Sequence, residues 1–354
     1  MSSVLFFMPL PPPVHGSSVM SGHILESKII RERIDCDYIN ISTSRSMSEI
    51  GNFTPMKPLR YLAALTKTLK KLIFNKYDVC YIALTCHGKG FLKDAPFALL
   101  CKMFGKRLII HQHNKGMSSC INRFPYKFLI PLVYKNAKVI LLSWRLYDDV
   151  RSVVDKSQVV ICQNGIPDTT LNLKKESHDI PHILFLSNLI KFKGVIDLLD
   201  ACSILKKNGV QFVCDYVGKE TSEITARKFD EKVRIRGLEG VVLYHGAKYG
   251  EEKERMWVSA NVFVFPTFND AFPLVILEAM QHGVPVIATD EGGIPDIIED
   301  EITGFIIPKH NVQCLANKNR VSNKEPHHGR IDGSGRSEKI QRRVPFGYLG
   351  KAYA

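Results

Sequence analysis

Short apolar runs rich in β-branched residues alternate with helical patterns along almost the whole chain of 354 residues. The runs lack the alternation of apolar and polar residues that is found when one face of a sheet is exposed to solvent. Continuous apolar runs are typical of strands covered on both faces. Strand–helix–strand repetition implies parallel sheets with right-handed crossovers. The sequence therefore predicts an α/β fold with helices that include 56–75 and 94–104. The predicted strands are 4–10, 36–42, 79–84, 107–113, 138–143, 159–163, 182–187, 211–218, 241–246, 261–267, 285–290 and 303–308.

A polar segment, QNGIPDTTLNLKKESHDIP at 163–181, interrupts this alternation. Its Asn-Gly and Pro-Asp pairs are typical of a turn followed by a linker. The length of the chain also fits two domains. We therefore predict a first Rossmann-like domain at 1–165, a linker at 166–181 and a second Rossmann-like domain at 182–311. Ligands of such sheets bind at the carboxyl ends of the strands, so the expected site is a cleft between the domains.

Cysteine usage and hydropathy exclude several classes of protein. The nine cysteines form no CxxC pair, and most lie in apolar runs, which indicates reduced core thiols rather than disulfides or a zinc site. No run approaches the length of a membrane-spanning helix. The start, MSSVLFFMPLPPP, lacks the basic region of a signal peptide and is predicted to be a strand. The expected location is the cytoplasm.

The positive charge of the chain is concentrated at one end. The net charge is +13, and residues 309–354 hold ten Lys or Arg against three acids. A nucleic-acid partner is therefore disfavoured. KHNVQCLANK at 309–318 begins a helical pattern, and helical periodicity then vanishes, so we interpret 312–354 as an atypical basic tail. It is either disordered or the product of a shifted reading frame near residues 318–320, and the second case would impair activity.

Two carboxylates bracket an apolar run in FNDAFPLVILEAMQHGVPVIATDEGG at 268–293. A buried carboxylate without a partner is costly, so Glu278 needs one, and a ligand could supply it. The alternative for Glu278 is a solvated position on a helix. Asp270 lies in the preceding loop, where an acid that starts a helix is a plausible alternative.

A helix is predicted directly after this loop. Pro273 suits the first helical residue. The main-chain N–H groups of Leu274, Val275 and Ile276 would have no acceptor inside the helix. Such groups bind anions, a diphosphate for instance.

The segment DAFPLVILEAMQHGVPVIATDEGGIPDII resembles the nucleotide-sugar segment of family-four retaining glycosyltransferases (glycosyl transferases group 1), of the bacterial polysaccharide and lipopolysaccharide type. These proteins have the GT-B fold, two Rossmann-like parallel-sheet domains that face each other across a cleft. The resemblance implies that Glu278 binds the ribose of the donor. It implies that Asp270, where the family usually has Glu, contacts the transferred sugar. The phosphate contacts implied at the helix start are Phe272, Pro273, Leu274 and Val275.

Two further segments resemble the same family. LFLSNLIKFKGVIDLLDA at 184–201 is similar to its Gly-Arg-Leu-x-x-x-Lys-Gly segment, which implies that Lys193 holds the donor diphosphate. Asn188 stands where the family has arginine, so it can donate hydrogen bonds but not charge. MPLPPPVHGSSVMSG at 8–22 resembles the family's glycine loop, which implies that Gly16 approaches the donor phosphate and the acceptor.

HQHNKGM at 111–117 places two histidines on the same side of a strand end. A metal site is one interpretation, but the sequence offers no obvious further ligands. The family resemblance implies a histidine that contacts the transferred sugar. His113 lies nearer the strand end and is preferred for this role over His111, and a core histidine is the alternative for either.

The helix predicted at 57–77 is basic and amphipathic. It carries Arg60, Lys67, Lys70, Lys71 and Lys76. The default interpretation is a surface helix packed on the sheet. The alternative is contact with an anionic membrane surface. The resemblance is compatible with both, because acceptors in the family are often lipid-linked.

The sequence therefore predicts a transferase that moves a sugar from a nucleoside diphosphate-sugar to a glycan or lipid-linked acceptor, with retention of configuration. The catalytic residues predicted are His113, Asp270 and Lys193, with no cofactor and no metal. A nucleotide-sugar epimerase and a non-catalytic sugar-nucleotide-binding protein are the alternatives.

Overall fold

The computed structural model describes residues 2–14, 16–46, 49, 54–168 and 178–324, with side chains up to residue 319. The chain divides between Asn164 and Gly165 into two compact units. Each unit is an α/β sandwich built on one parallel sheet. Most of the predicted linker at 166–181 and the end of the chain after Lys324 lie outside the described residues.

The sheet of the first unit has the strand order β2-β1-β3-β4-β5-β6 in its described residues. Its strands are β1 (Ser3–Met8), β2 (Asp35–Asn40), β3 (Val79–Ala83), β4 (Arg107–Gln112), β5 (Lys138–Leu141) and β6 (Val159–Ile161). Its helices are α1 (Gly16–Glu26), α2 (Lys28–Arg33), α3 (Met56–Phe74), α4 (Gly88–Met103), α5 (Tyr126–Tyr134) and α6 (Tyr147–Val150).

The sheet of the second unit has the order β12-β11-β10-β7-β8-β9. Its strands are β7 (His182–Leu186), β8 (Val213–Val217), β9 (Val242–Tyr244), β10 (Val262–Phe265), β11 (Val286–Thr289) and β12 (Gly304–Ile307). Its helices are α7 (Val195–Lys207), α8 (Ala226–Ile235), α9 (Gly250–Ser259), α10 (Leu274–Gln281), α11 (Ile294–Ile297) and α12 (Val312–Lys324).

Strand β1 shows why the predicted strands lack alternation. Leu5 and Phe7 are buried in a cluster with residues of α3, α4 and α5. Phe6 and Met8 point to the other face and are buried with residues of α1 and α2. Both faces of the strand are dry, so apolar residues occupy consecutive positions. The prediction of twelve such strands is confirmed, because each predicted run overlaps one of β1 to β12.

The strand orders fix where each unit can bind a ligand. In the first unit, the chain moves from β1 to β2 in one direction across the sheet and from β3 to β4 in the other. In the second unit, it moves from β7 to β8 in one direction and from β10 to β11 in the other. The helices that follow such a pair of strands lie on opposite faces, which leaves a crevice at the carboxyl ends of that pair.

The chain after β12 begins with a helix, as the segment KHNVQCLANK predicts. This helix, α12, extends from Val312 to Lys324, six residues beyond that segment. It packs against α7. Leu315 and Ala316 are buried, so these two apolar positions anchor a helix whose remaining residues are mostly polar.

Candidate functional site

The loops after β7 and β10 are packed tightly against each other at the switch point of the second sheet. Gly194 has a φ of +81°, and a Cβ there would lie 2.2 Å from the main-chain oxygen of Pro266. The N–H of Phe268 donates to the oxygen of Phe192 at 2.9 Å. Only glycine allows the first loop to approach the second so closely.

This contact brings Lys193 and Asp270 together. The Nζ of Lys193 lies 2.5 Å from the Oδ2 of Asp270, and the side chains are 20% and 16% exposed. The same Nζ lies 5.4 Å from the ring centroid of Phe265. Both interactions stabilise the ammonium group at a partly buried position. Two residues separated by 77 positions thus form one charged pair at the carboxyl edge of the sheet.

Lys193 lies just before a helix. The residue ends a single 3₁₀ turn, Lys191–Lys193, and Gly194 links that turn to the first residue of α7. The lysine still lies at the N-terminal end of α7, where the helix dipole disfavours a cation. An anionic partner is needed there, and Asp270 is that partner in the unbound protein.

Helix α10 presents unsatisfied donors beside this pair. Pro273 is the N-cap of α10. The sequence predicts it one position later, as the first helical residue. The N–H groups of Leu274 and Val275 have no acceptor among the described residues, as expected for a first helical turn. The prediction is wrong for Ile276, whose N–H donates to the oxygen of Pro273 at 3.3 Å. Phe272, which precedes the cap, is buried.

Glu278 has a protein partner in this structure. The Nζ of Lys253, on α9, lies 2.7 Å from the Oε2 of Glu278, and the side chains are 25% and 21% exposed. Both side chains are therefore partly exposed, although the Oε2 atom of Glu278 itself is buried. No sequence pattern singled out Lys253, because it lies 25 positions before Glu278 and on a different helix.

The side chain of Asn188 also lies at this edge. Its Oδ1 accepts a hydrogen bond from the N–H of Lys219 at 3.1 Å. The N–H groups of the same amide have no acceptor among the described side chains and main chain, so they remain available as donors. Lys191, the neighbouring cation, is exposed.

Gly16 begins α1, directly after the proline-rich turn that follows β1. The hydroxyl of Ser18 donates to the oxygen of Pro13 at 2.8 Å and closes this turn. A Cβ at Gly16 would meet no atom within 4 Å, so no described contact within the protein requires glycine there.

His111 and His113 stack with ring centroids 4.0 Å apart. The Nδ1 of His111 lies 2.6 Å from the hydroxyl of Tyr81. Burial, and then the proximity of His113, hold the pKa of His111 well below its usual range, so its ring is neutral. His111 is thus a core histidine, whereas His113 follows the end of β4 and is partly exposed.

The turn after His113 is held by Asp149, a residue that the sequence did not single out. Its carboxylate accepts from the N–H groups of Gly116, Met117 and Ser118 at 2.8, 3.0 and 2.9 Å. Within the described residues, no group of three or more His, Cys, Asp or Glu could hold a metal ion. The two histidines therefore have no further ligands with which to form the metal site considered as an alternative.

Two solved structures define the class of this fold. Sucrose-phosphate synthase of Thermosynechococcus elongatus superposes with a TM-score of 0.76 at 18% identity, over 100% of this chain and 98% of that one. Anabaena Alr3699/HepE, in complex with UDP, superposes with a TM-score of 0.75 at 17% identity and the same coverage. The chain has the GT-B fold, with two Rossmann-like units, as predicted.

Residues 170–332 match the model of a family described as glycosyl transferases group 1. The matched segment is just under half of the chain, and it carries Lys193, Asp270 and α10.

Two curated relatives match part of the chain. The amylovoran biosynthesis glycosyltransferase AmsK of Erwinia amylovora is 29% identical over 167 residues, which are 45% of this chain and 40% of AmsK. The putative colanic acid biosynthesis glycosyltransferase WcaL of Escherichia coli K12 is 31% identical over 142 residues, which are 38% of this chain and 34% of WcaL. The alignments thus span two fifths or less of the length of these relatives.

None of the helices described in the structure is both long enough and apolar enough to cross a membrane.

Proposed function

We propose that this protein is a glycosyltransferase that moves a sugar from a nucleoside diphosphate-sugar to a glycan or lipid-linked acceptor, with retention of configuration, in cell-surface polysaccharide synthesis. The observation that carries the proposal is the pair of Lys193 and Asp270 at the switch point, beside the unsatisfied amides of Leu274 and Val275. A cation and a helix N-terminus at one crevice suit a diphosphate. A carboxylate beside them suits the hydroxyls of a sugar.

In the proposed reaction, Lys193 and the amides of α10 hold the diphosphate. Cleavage of the sugar–phosphate bond develops negative charge on that group, and fixed donors stabilise it. Asp270 then orients the transferred sugar, and Asn188 donates to the donor phosphates. The leaving phosphate assists deprotonation of the acceptor, so the reaction needs no strong protein base, no cofactor and no metal.

In the first unit, we propose that His113 contacts the transferred sugar and that Gly16 allows the main chain to approach the donor phosphate. The position of His113 just beyond the end of β4, and the contact of His111 with Tyr81, support this assignment over His111. The open space around Gly16 supports a contact with a ligand there.

The names of similar proteins support the substrate class. AmsK and WcaL are named for the biosynthesis of amylovoran and colanic acid. Structures of Anabaena Alr3699/HepE contain UDP with glucose, or UDP-glucose. UDP-sugars are therefore the first donors to test.

The test is incubation of the full chain with a panel of labelled nucleotide sugars and a membrane extract. Transfer of label to lipid or glycan supports the proposal. Free donor with an isomerised sugar would instead identify an epimerase, and binding without turnover would identify a sugar-nucleotide-binding protein.

We propose that Glu278 exchanges Lys253 for the ribose hydroxyls of the donor. Replacement of Glu278 by alanine is then expected to raise the donor KM by about 10- to 100-fold, the value of hydrogen bonds to a charged group. The change is measured by steady-state transfer and by calorimetric titration with UDP. The matched control is Lys253→Met, which breaks the same ion pair but leaves the carboxylate for the ribose. If both variants lose the same affinity, the ion pair is structural and Glu278 is not a ribose ligand.

We further propose that the protein is cytoplasmic and lies peripherally on the inner face of the membrane through α3. Large apolar side chains on the outer side of this helix are exposed, with Leu59 and Leu62 at 59% and Phe74 at 79%. A groove of about 450 Å³ between α3 and α4 is lined almost entirely by apolar atoms. Lys67 and Lys70 are exposed on the same helix. Apolar side chains flanked by lysines suit an anionic lipid surface.

Charge reversal on this helix tests the membrane contact. Lys67→Glu with Lys70→Glu is expected to lower binding to anionic liposomes by at least about 10-fold, because each basic residue contributes about 1 kcal/mol near such a surface. Co-sedimentation at fixed lipid concentration measures this. The matched control is Arg227→Glu with Lys228→Glu, an exposed basic pair on α8. Binding that does not depend on anionic lipid would contradict the proposal.

A further inference from the structure

Glu291, just after β11, is a fully buried carboxylate behind the Lys193–Asp270 pair, with a side-chain exposure of 0%. One of its oxygens, Oε1, accepts a hydrogen bond from the main-chain N–H of Asp270 at 3.1 Å. The other, Oε2, forms an ion pair with the Nζ of Lys309, which follows β12. Glu291 thus connects the loops after β10, β11 and β12 at the carboxyl edge of the sheet.

The main chain beside Glu291 is pressed against the loop that carries Asp270. Gly292 has a φ of +53°, and a Cβ there would lie 2.3 Å from the main-chain oxygen of Asp270. The N–H of Gly293 donates to the oxygen of Ala271 at 2.7 Å. The main chain of Asp270 and Ala271 is therefore held by residues 291–293.

A buried charge in this place has a cost that a neutral residue would avoid. A buried ion pair seldom adds stability compared with apolar residues of similar volume. A carboxylate is, however, a stronger acceptor for an N–H group than a neutral oxygen, and it fixes the position of the donor. That position matters for Asp270, because its Oδ2 must meet Lys193 and its Oδ1 accepts the N–H of Ala271 at 2.9 Å.

We propose that Glu291 and Lys309 are positioning residues for the transfer reaction: they hold the main chain of Asp270 so that its carboxylate faces Lys193 and the sugar of the donor. This inference rests on the proposed glycosyltransferase function. Lys309 pairs with one oxygen of Glu291 and so directs the other toward the loop, where it holds the amide of Asp270. Neither residue touches the donor.

The proposal predicts different effects on sugar transfer and on nucleotide binding, whereas a general loss of stability would impair both. Asp270 is assigned to the sugar, whereas Lys193 and α10 are assigned to the diphosphate. Loss of Glu291 should therefore affect kcat for the nucleotide sugar and leave the affinity for UDP, which has no sugar, nearly unchanged. A misplacement of about 1 Å costs on the order of 100-fold in rate.

The experiment compares Glu291→Ala, Glu291→Gln and Lys309→Met with the wild-type protein. We expect Glu291→Ala to lower kcat by about 100-fold and to change the Kd for UDP by less than about 3-fold. Glu291→Gln keeps an oxygen for the amide of Asp270 and should recover part of the lost rate. The matched control is Glu251→Gln, which breaks the exposed pair with Arg255 on α9 and should have no effect.

Hydrogen exchange supplies a readout that does not depend on turnover. The amides of 268–272 should exchange faster in Glu291→Ala and in Lys309→Met, with little change in the other loops. Lys309→Met keeps the test valid if Glu291→Ala does not fold, because the Lys309 side chain is 40% exposed. If wild-type protein transfers no sugar, the proposed function fails, and local exchange still decides whether Glu291 holds this loop.

Two results would overturn the inference. One is a parallel loss of UDP affinity, kcat and thermal stability in all three variants, since that is the signature of a merely structural pair. The other is unchanged exchange at 268–272 in Lys309→Met and in whichever Glu291 variants fold.

Discussion

Replacement of Lys193 by methionine is expected to lower kcat for sugar transfer by about 10²- to 10³-fold, the largest single effect at this site. The ammonium group lies 2.5 Å from Asp270 and faces the crevice at the switch point, where the leaving diphosphate would gain charge. Methionine has a side chain of similar length but carries no charge, so it cannot stabilise that group. Steady-state transfer with a UDP-sugar and the melting temperature are measured together.

The matched control for this variant is Lys191→Met, in the same 3₁₀ turn but exposed. It removes an equal charge two residues away, so it reports the effect of net charge alone. A similar loss in both variants would mean that the general field of the loop, rather than Lys193, stabilises the leaving group. A normal rate in Lys193→Met would remove this lysine from the proposed mechanism.

Replacement of Gly194 by alanine is expected to destabilise the second unit by about 3 kcal/mol or more. Two costs add, because alanine disfavours a φ of +81° and its Cβ would lie 2.2 Å from the oxygen of Pro266. Relief of this overlap requires the loops after β7 and β10 to separate, which also moves Lys193 away from Asp270. We therefore expect a loss of activity along with the loss of stability.

Buried Trp257 provides the measurement for this variant. It lies in the second unit and is 1% exposed, whereas Trp144 in the first unit is 48% exposed. The chain has two tryptophans, so Trp144→Phe leaves Trp257 as the reporter of urea unfolding in the second unit. The control is Gly237→Ala, where φ is +61° but a Cβ would meet nothing within 4 Å. It should cost about 1 kcal/mol, and equal effects at both glycines would show that the close approach of the loops is unimportant.

Local sequence determined the secondary structure and much of the candidate site. Strands buried on both faces have continuous apolar runs, so all twelve could be located. Pro273 marks the start of a short helix, and the free amides of Leu274 and Val275 follow from the chemistry of any helix start. The family resemblance supplied the roles of Lys193 and Asp270, and those roles remain proposals.

The partners of the charged side chains depended on tertiary structure. Glu278 needed a counter-ion, but Lys253 could not be chosen from among the other lysines without the packing of α9 beside α10. The same holds for Glu291, whose partner Lys309 lies after the next strand. His111 and His113 are equivalent in sequence, and only the position of Tyr81 makes the first a core residue.

The sequence by itself thus determined which segments are strands and helices and where donors and charges stand along the chain, because these properties depend on neighbours within a few residues. Tertiary structure decided which of them meet. The order of strands places β7 next to β10, although Leu186 and Val262 are 76 positions apart in the sequence. Gly194 lets the loops after these two strands touch. Lys193 and Asp270 form one site for that reason, since contacts between distant segments follow from sheet order and close packing rather than from local spacing.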